Sequence, residues 1–583
     1  MLPTVAVAHI FLYLDPLNST MNPGQAKQPK SYPPILPTRE EWPVVQLSRN
    51  RKSFVKTVIH ETLNRLLNNG LGEQKLIEEL EMTLYLETNR IRRNLWKVDP
   101  EDEEEFWGDI KTQLLNLNQV SNDTGVQSVD RMVKSIVTRY TEEIAGNFKQ
   151  SSYRMARTII TFGFARLLNA ARIKGLRALF SGQLDLPDKI QVNGETEQLR
   201  SLAKIGTVVM VPTHFSNLDS ALIGWVIQYL GLPAFIYGAG LNLFNIGIFA
   251  YFMNSLGAYK VDRRKKNLVY LETLKTYSTE ALKYGCHSLF FPGGTRSRSG
   301  RIEEKLKLGL LSTAIEAQRC NYLEVAPDQA TRIFIVPVVI NYHFVLEAPI
   351  LIHQFLEQQG QERYYVENDE FTNSYKILKF LVKFFTKGSD ISVTIGTAMD
   401  PIGNFVDMTG NSIDLKNRII DTSDYFKSFG TISKDPQRDM EYTNMLSRRI
   451  VEEFHKINRV FSSHLVAFVG FKMFKKRFAK LDLYEFLRIP PEEMFLDFNE
   501  FLQQFDQIRS RVFELKAIGA LQTAYHLEGP VKEVVEHGLD NVGLYHAKRP
   551  LFKDKTGKIV SQDLFTLYYY HNRMHGYDLE QYF

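Results

Sequence analysis

At 583 residues the chain is too long for one compact core, and two or three domains are expected. With 44% hydrophobic and 23% charged residues and a net charge of only +5, the composition excludes gross disorder and lacks the dense basic face of a nucleic-acid binder. Cys286 and Cys320 are the only cysteines, too few for a disulfide framework and without metal-ligand spacing, whereas 39 Phe and 27 Tyr raise the question of lipid contact.

Residues 1–45 read as a flexible leader: a short apolar run from Thr4 to Leu14, unable to span a bilayer, then a Pro-rich stretch from Pro23 to Pro43. Residues 46–186 read as an N-terminal helical domain, with apolar positions recurring at three and four over Glu73 to Trp96 and Val126 to Phe148. The acidic run Asp99 to Glu105 suits a solvated helix start. Over residues 187–440 short β-branched runs alternate with helical segments: Ile190 to Val192, Thr207 to Val211, Ser288 to Phe291, Ile333 to Tyr342 and Ile391 to Ile395. That alternation predicts an α/β domain with a mixed, largely covered sheet and flanking helices. Within it, Ser220 to Tyr259 holds no charged residue, and its glycines and Pro233 suggest two short helices, partly core and partly presented to lipid. Residues 441–583 read as a C-terminal helical region. There Phe468 to Lys480 interleaves Phe471, Met473, Phe474 and Phe478 with Lys472, Lys475, Lys476, Arg477 and Lys480, as either an interfacial helix on an anionic membrane or an ordinary amphipathic helix. His571 and His575 lie four apart with no third metal ligand in view and read as surface residues.

The sharpest chemical feature is Val208-Val209-Met210-Val211-Pro212-Thr213-His214-Phe215-Ser216-Asn217-Leu218-Asp219. A buried strand runs into a polar turn that opens a helix, where α/β folds place reactive groups. A histidine can take a proton from an alcohol near neutral pH, and a carboxylate can fix its tautomer. Five residues on a regular helix would hold the two apart, so a turn between His214 and Asp219 is required. Further on, Phe290-Phe291-Pro292-Gly293-Gly294-Thr295-Arg296-Ser297-Arg298-Ser299-Gly300 ends a strand in glycines, hydroxyls and guanidinium forks, the groups that bind a phosphate dianion.

Together with Gly257-Ala258-Tyr259-Lys260-Val261-Asp262-Arg263-Arg264 and Ile333-Phe334-Ile335-Val336-Pro337-Val338, these segments form four blocks. Their order and spacing resemble the glycerol-3-phosphate and lysophosphatidate acyltransferase superfamily over residues 190 to 400. The long chain, the Arg-Ser-Arg-Ser-Gly run and the ending Leu567-Tyr568-Tyr569-Tyr570-His571-Asn572-Arg573 are most similar to the glycerol-3-phosphate branch. The resemblance implies that His214 is a general base oriented by Asp219 and that an acceptor hydroxyl attacks an acyl thioester without an acyl-enzyme. It implies that Arg263, Arg264, Gly293, Gly294, Thr295, Arg296, Ser297 and Arg298 bind the acceptor phosphate, and that Pro337 shapes the end of a strand. No metal and no cofactor are expected. The implied partners are acyl-CoA or acyl carrier protein, glycerol 3-phosphate or lysophosphatidate, and lipid on the cytosolic face of a membrane, with no nucleic acid. Two departures stand out. Gly293 replaces the usual Glu of the third block, with Glu303 or Glu304 the nearest carboxylates to supply a charge, and Phe215 stands where many sn-1 acyltransferases carry Arg. The loss at Gly293 keeps a catalytically silent lipid-binding or scaffold protein as the rival reading.

Overall fold

A computed structural model describes residues 31–67, 73–96, 98–117, 122–153, 155, 190–241, 257–359 and 390–583. Its centre is built by two runs of stiff, apolar, mostly β-branched residues, β2 (Gly206–Pro212) and β6 (Arg332–Tyr342), paired in parallel with Val209 opposite Ile335. Alternation along both strands sends Val208, Met210, Phe334, Val336 and Ile340 into one core and Val209, Val211, Ile333, Ile335 and Val339 into another on the opposite face. The strands are therefore covered on both sides, which is why they read as unbroken apolar runs.

Around them lie β1 (Ile190–Gly194), β3 (Ile236–Gly240), β4 (Ala258–Val261), β5 (Ser288–Leu289) and β7 (Ile391–Ile395), in the order β1-β7-β6-β2-β5-β3-β4. β7 runs antiparallel to β6 and carries β1 parallel to itself, whereas β6, β2, β5, β3 and β4 run parallel. The fold is thus α/β with a mixed sheet, flanking helices and further helical regions on both sides in sequence.

Five N-terminal helices, α1 (Pro43–Arg49), α2 (Arg51–Leu67), α3 (Glu73–Asn94), α4 (Glu103–Leu117) and α5 (Asn122–Ile144), share a core with Tyr259, Tyr270 and Tyr277 of the sheet domain. After β1 come α6 (Thr196–Ile205), α7 (Asp219–Tyr229), α8 (Leu268–Lys283), α9 (Leu308–Glu324) and α10 (Ala348–Gln358). The C-terminal part contributes α11 (Pro436–Ile457), α12 (Ser462–Arg477), α13 (Leu483–Leu487), α14 (Phe498–Ala517), α15 (Val531–Asn541) and α16 (Leu564–His571). Side chains of α12, α14, α15 and α16 complete the core on the Val208 face of the sheet.

Several expectations are corrected. Part of the presumed leader is tied down, since the Tyr32 and Ile35 amides donate to Tyr229 and Gly231 carbonyls and Trp42 is buried; residues 1–30 lie outside the described residues. The acidic run opens α4 with Glu101, Asp102, Glu104 and Glu105 exposed, as expected of a solvated helix start, but the side chains of Asp99 and Glu103 are buried within it, because Arg90, Arg139 and Arg264 neutralise them from neighbouring segments. Within Ser220 to Tyr259 the described residues give α7 and then β3; residues 242–256, where the second expected helix would fall, lie outside the described residues. In α12, Phe468, Phe471, Met473 and Phe474 are buried within the protein, so this apolar face meets protein and not lipid. His571 is buried, its ring stacked on Phe468 at 5.2 Å, and is not a surface residue. Pro337 sits inside β6, not at its end. It is tolerated because its carbonyl, and with it the side lacking an N–H, faces β7, whose ladder has lapsed beyond Ile395. Among the described residues no helix is long and apolar enough to cross a membrane.

Candidate active site

The parallel strands β2, β4, β5 and β6 all deliver their C-terminal ends to one edge, so the segments after them converge there. After β2 the Thr213 amide still donates to Val338 O at 2.9 Å, and the chain then leaves the sheet. The required turn follows. Asp219, first residue of α7 and fully buried, folds back so that its Oδ2 accepts from the Phe215 amide (2.7 Å), the Ser216 amide (2.9 Å) and His214 Nδ1 (2.8 Å). Its Oδ1 accepts from the Tyr342 hydroxyl at 2.6 Å, a phenol that burial and the Asp219 carboxylate hold protonated. Four donors on one carboxyl are the pattern of a carboxylate acting as acceptor only. His214 Nδ1 then carries the proton, and its Nε2 is left as the basic nitrogen. The ring is also braced by Phe291, stacked at 4.1 Å.

Two further carboxylates grip the same turn. Glu347, at the start of α10, accepts from the Asn217 amide (2.9 Å) and the Ser216 hydroxyl (3.2 Å) and pairs with Arg296 Nη1 at 3.1 Å. It therefore couples the histidine loop to the third-block arginine. Glu303 accepts from the His214 amide at 2.9 Å, and its carboxyl fills the space beside Gly293: a Cβ built on Gly293 would stand 2.9 Å from Glu303 Cγ. Of the two nearby glutamates it is Glu303 that reaches the site; Glu304 is exposed and lies 3.3 Å from His575 Nε2.

The sequence-derived phosphate set divides. Arg263, Arg296 and Arg298 come together: desolvation and then the like charges of Arg296 and Arg298 hold the Arg263 guanidinium below its ordinary pKa. Arg263 and Arg298 have no ion-pair partner among the described residues, so like charges face one another with Glu347 on one of the three. Such an arrangement suits a bound dianion. Arg264 does not join them. It binds Asp99 and Asp262 through both sides of its fork and stacks over Trp96 at 3.9 Å, because adjacent residues on an extended segment point opposite ways. The Ser297 amide donates to His214 O (2.7 Å) and its hydroxyl to Arg301 O (2.7 Å), so both its donors serve the loop itself. Gly294 turns that loop with φ +78°, and Thr295 is exposed at its tip. Replacing Arg264 with alanine is expected to lower stability by about 2 kcal/mol, read by chemical denaturation, since Asp99 and Asp262 lose a forked charged partner while Asp99 keeps Arg90.

Sequence reasoning missed Tyr342, Glu347 and Arg573 as site residues. Tyr342 and Glu347 follow the fourth block in chain order, but their partners at the His214 turn lie more than a hundred residues away, and no local pattern marks them. Among the described residues no group of His, Cys, Asp and Glu is arranged to hold a metal ion.

Residues 189–341 match a family model described as Acyltransferase, a span that takes in β1, the His214 turn, the arginine loop and β6. Among solved structures the chain is similar to the 1-acyl-sn-glycerophosphate (LPA) acyltransferase PlsC of Thermotoga maritima, at 15% identity over 64% of this chain and 94% of that chain with a TM-score of 0.24. The stretch that holds the His214–Asp219 pair is thus the part of the chain that matches the acyltransferase family model.

Proposed function

We propose that this chain is an O-acyltransferase of phospholipid biosynthesis that moves a fatty acyl group from acyl-CoA or acyl carrier protein to the sn-1 hydroxyl of glycerol 3-phosphate. The observation that carries the reading is a carboxylate–imidazole pair, the half-buried His214 Nδ1 to the buried Asp219 Oδ2 at 2.8 Å, beside three mutually interacting arginines. Arg263, Arg296 and Arg298 hold the acceptor phosphate, which brings a hydroxyl to His214 Nε2. As the hydroxyl oxygen attacks the thioester carbonyl carbon, its proton passes to Nε2, and Asp219 stabilises the imidazolium that forms. The tetrahedral intermediate then expels the thiolate, which takes the proton back from His214 to leave as free thiol. The cycle uses no acyl-enzyme and no metal.

A phosphate and a free hydroxyl are equally present in lysophosphatidate, which is therefore the second acceptor to test. Glycerol 3-phosphate is favoured by the Leu567–Arg573 stretch, whose likeness to that branch coincides with its packing against the arginine loop: the Asn572 side-chain amide donates to Ser299 O at 2.9 Å. The silent-scaffold reading is disfavoured by Glu303, which restores a carboxyl beside Gly293. Membrane attachment, on the cytosolic face where these substrates meet, belongs to the same proposal.

The test is release of free thiol from palmitoyl-CoA by the full chain in detergent, with each acceptor supplied separately. Release with glycerol 3-phosphate supports the sn-1 assignment, and release with lysophosphatidate alone overturns it. Silence with both, and with acyl carrier protein as donor, would favour the scaffold. In the active enzyme Arg296→Ala is expected to raise KM for the phosphorylated acceptor about tenfold or more, the loss of one charged hydrogen bond. Arg264→Ala should leave that KM unchanged. An unaltered KM in Arg296→Ala would remove that arginine from the phosphate site.

A further inference from the structure

Glu303 leaves part of its stem at the surface but buries its carboxyl among charged groups of the site. One oxygen accepts the His214 amide at 2.9 Å; the other, Oε2, is buried without a hydrogen-bond partner among the described residues. Asp219 and the buried Arg573 guanidinium are the charged groups that act on it. Burial pushes this carboxyl up to about 7, against the stabilising His214 amide and Arg573. A carboxyl confined like this costs stability, and a neutral glutamine of the same shape would keep the hydrogen bond without that cost. The charge itself is therefore what the site retains.

Resting on the acyl-transfer reading above, we infer that Glu303 is a positioning residue for His214: its carboxyl anchors the His214 main chain and, when ionised, adds a negative charge that favours the imidazolium. The steric relation to Gly293 sharpens the inference. A side chain at 293 would enter the volume Glu303 occupies, with Cβ 2.9 Å from Glu303 Cγ and 3.2 Å from Oε1. The backbone at Gly293 is not in the left-handed region, so a larger residue is barred there by Glu303 and not by its own φ. One carboxyl fits, delivered from either side, and two do not.

Three variants test this in the full chain. Glu303→Gln keeps shape and hydrogen bond but removes charge, and is expected to lower kcat about tenfold with KM for donor and acceptor little changed. Gly293→Glu alone and Glu303→Ala alone should each lose activity, whereas the double variant Gly293→Glu/Glu303→Ala should exceed both. A second readout needs no turnover. The pH midpoint for carbethoxylation of His214 by diethyl pyrocarbonate, followed by peptide mass spectrometry, should fall by roughly one unit in Glu303→Gln. Wild-type kcat and an unmoved midpoint in Glu303→Gln would overturn the inference, as would a folded double variant no more active than Glu303→Ala. If the wild-type chain proves silent with every donor, the acyl-transfer reading fails, and the His214 midpoint alone then decides the role of Glu303.

Discussion

Replacing His214 with alanine is expected to lower the rate of thiol release by about a hundred- to ten-thousand-fold while leaving the protein folded. The large effect follows from the proposed mechanism: Asp219 commits one ring nitrogen, and the other is left to act as the base toward the acceptor. The small structural effect follows from what remains. Asp219 keeps the Phe215 and Ser216 amides and the Tyr342 hydroxyl, and the 214 amide still donates to Glu303, so no buried carboxylate is abandoned. The measurement pairs kcat with a denaturation midpoint. A rate within about threefold of wild type in a folded variant would end the general-base assignment, because loss of a base cannot be that mild. Asp219→Ala should be worse for folding than His214→Ala, since it removes the acceptor of four donors at once.

The sheet was legible wherever strands were apolar and β-branched. Thr207 to Val211 and Ile333 to Tyr342 are seen in the structure within a residue of their expected ends, because burial on both faces leaves an uninterrupted apolar run. β3 was not legible: Ile236-Tyr237-Gly238-Ala239-Gly240 has two glycines and an alanine, poor strand formers by composition. It is a strand because β5 and β4 flank it, a fact held elsewhere in the chain. Two residues of the acidic run misled for a related reason. Asp99 and Glu103 look solvated in isolation, and only folding brings Arg90, Arg139 and Arg264 onto them. At the site, His214, Asp219 and Arg296 could be found because each sits in a local pattern with its own chemistry. Glu347 and Tyr342 could not, since a lone carboxylate or phenol after a strand carries no local mark.

The arrangement also explains how a loop of six residues between β2 and α7 can hold a base in place before substrate arrives. Asp219 fixes the ring, Glu303 fixes the main chain at His214, and Glu347 fixes Ser216 and Asn217 while it holds Arg296. Preorganisation of this kind removes the entropic cost of assembling the site during the reaction. If Arg296 binds the acceptor phosphate as proposed, an arriving phosphate must share or displace the Glu347 contact on it, so base positioning and acceptor binding would act through one carboxylate.

Arg573→Met is expected to lower kcat ten- to a hundredfold while stability stays level or rises. The guanidinium is buried, stacks over the Phe215 ring at 3.8 Å and donates to Ile340 O at 2.8 Å, yet its Nη1 has no partner among the described residues. Burial pulls its pKa down to about 10, so the cation is held at a folding cost of about 3 kcal/mol. A methionine fills similar volume without that cost, which offsets the hydrogen bond lost at Ile340 O, and Glu303 can answer the loss of the cation by taking up a proton. Stability thus offers no reason to keep Arg573, whereas its position does: it braces the residue next to His214 and supplies a positive charge that acts on the buried Glu303 carboxyl. Without it Glu303 should take up a proton more readily, and the His214 loop should lose both its stacked brace and the negative charge beside it. Lysine should not substitute, since an ammonium lacks the planar face that lies on Phe215. The deciding comparison sets kcat for thiol release beside urea midpoints for wild type and Arg573→Met. A variant that loses stability and keeps its rate would make Arg573 a structural residue and detach the C-terminal segment from the chemistry.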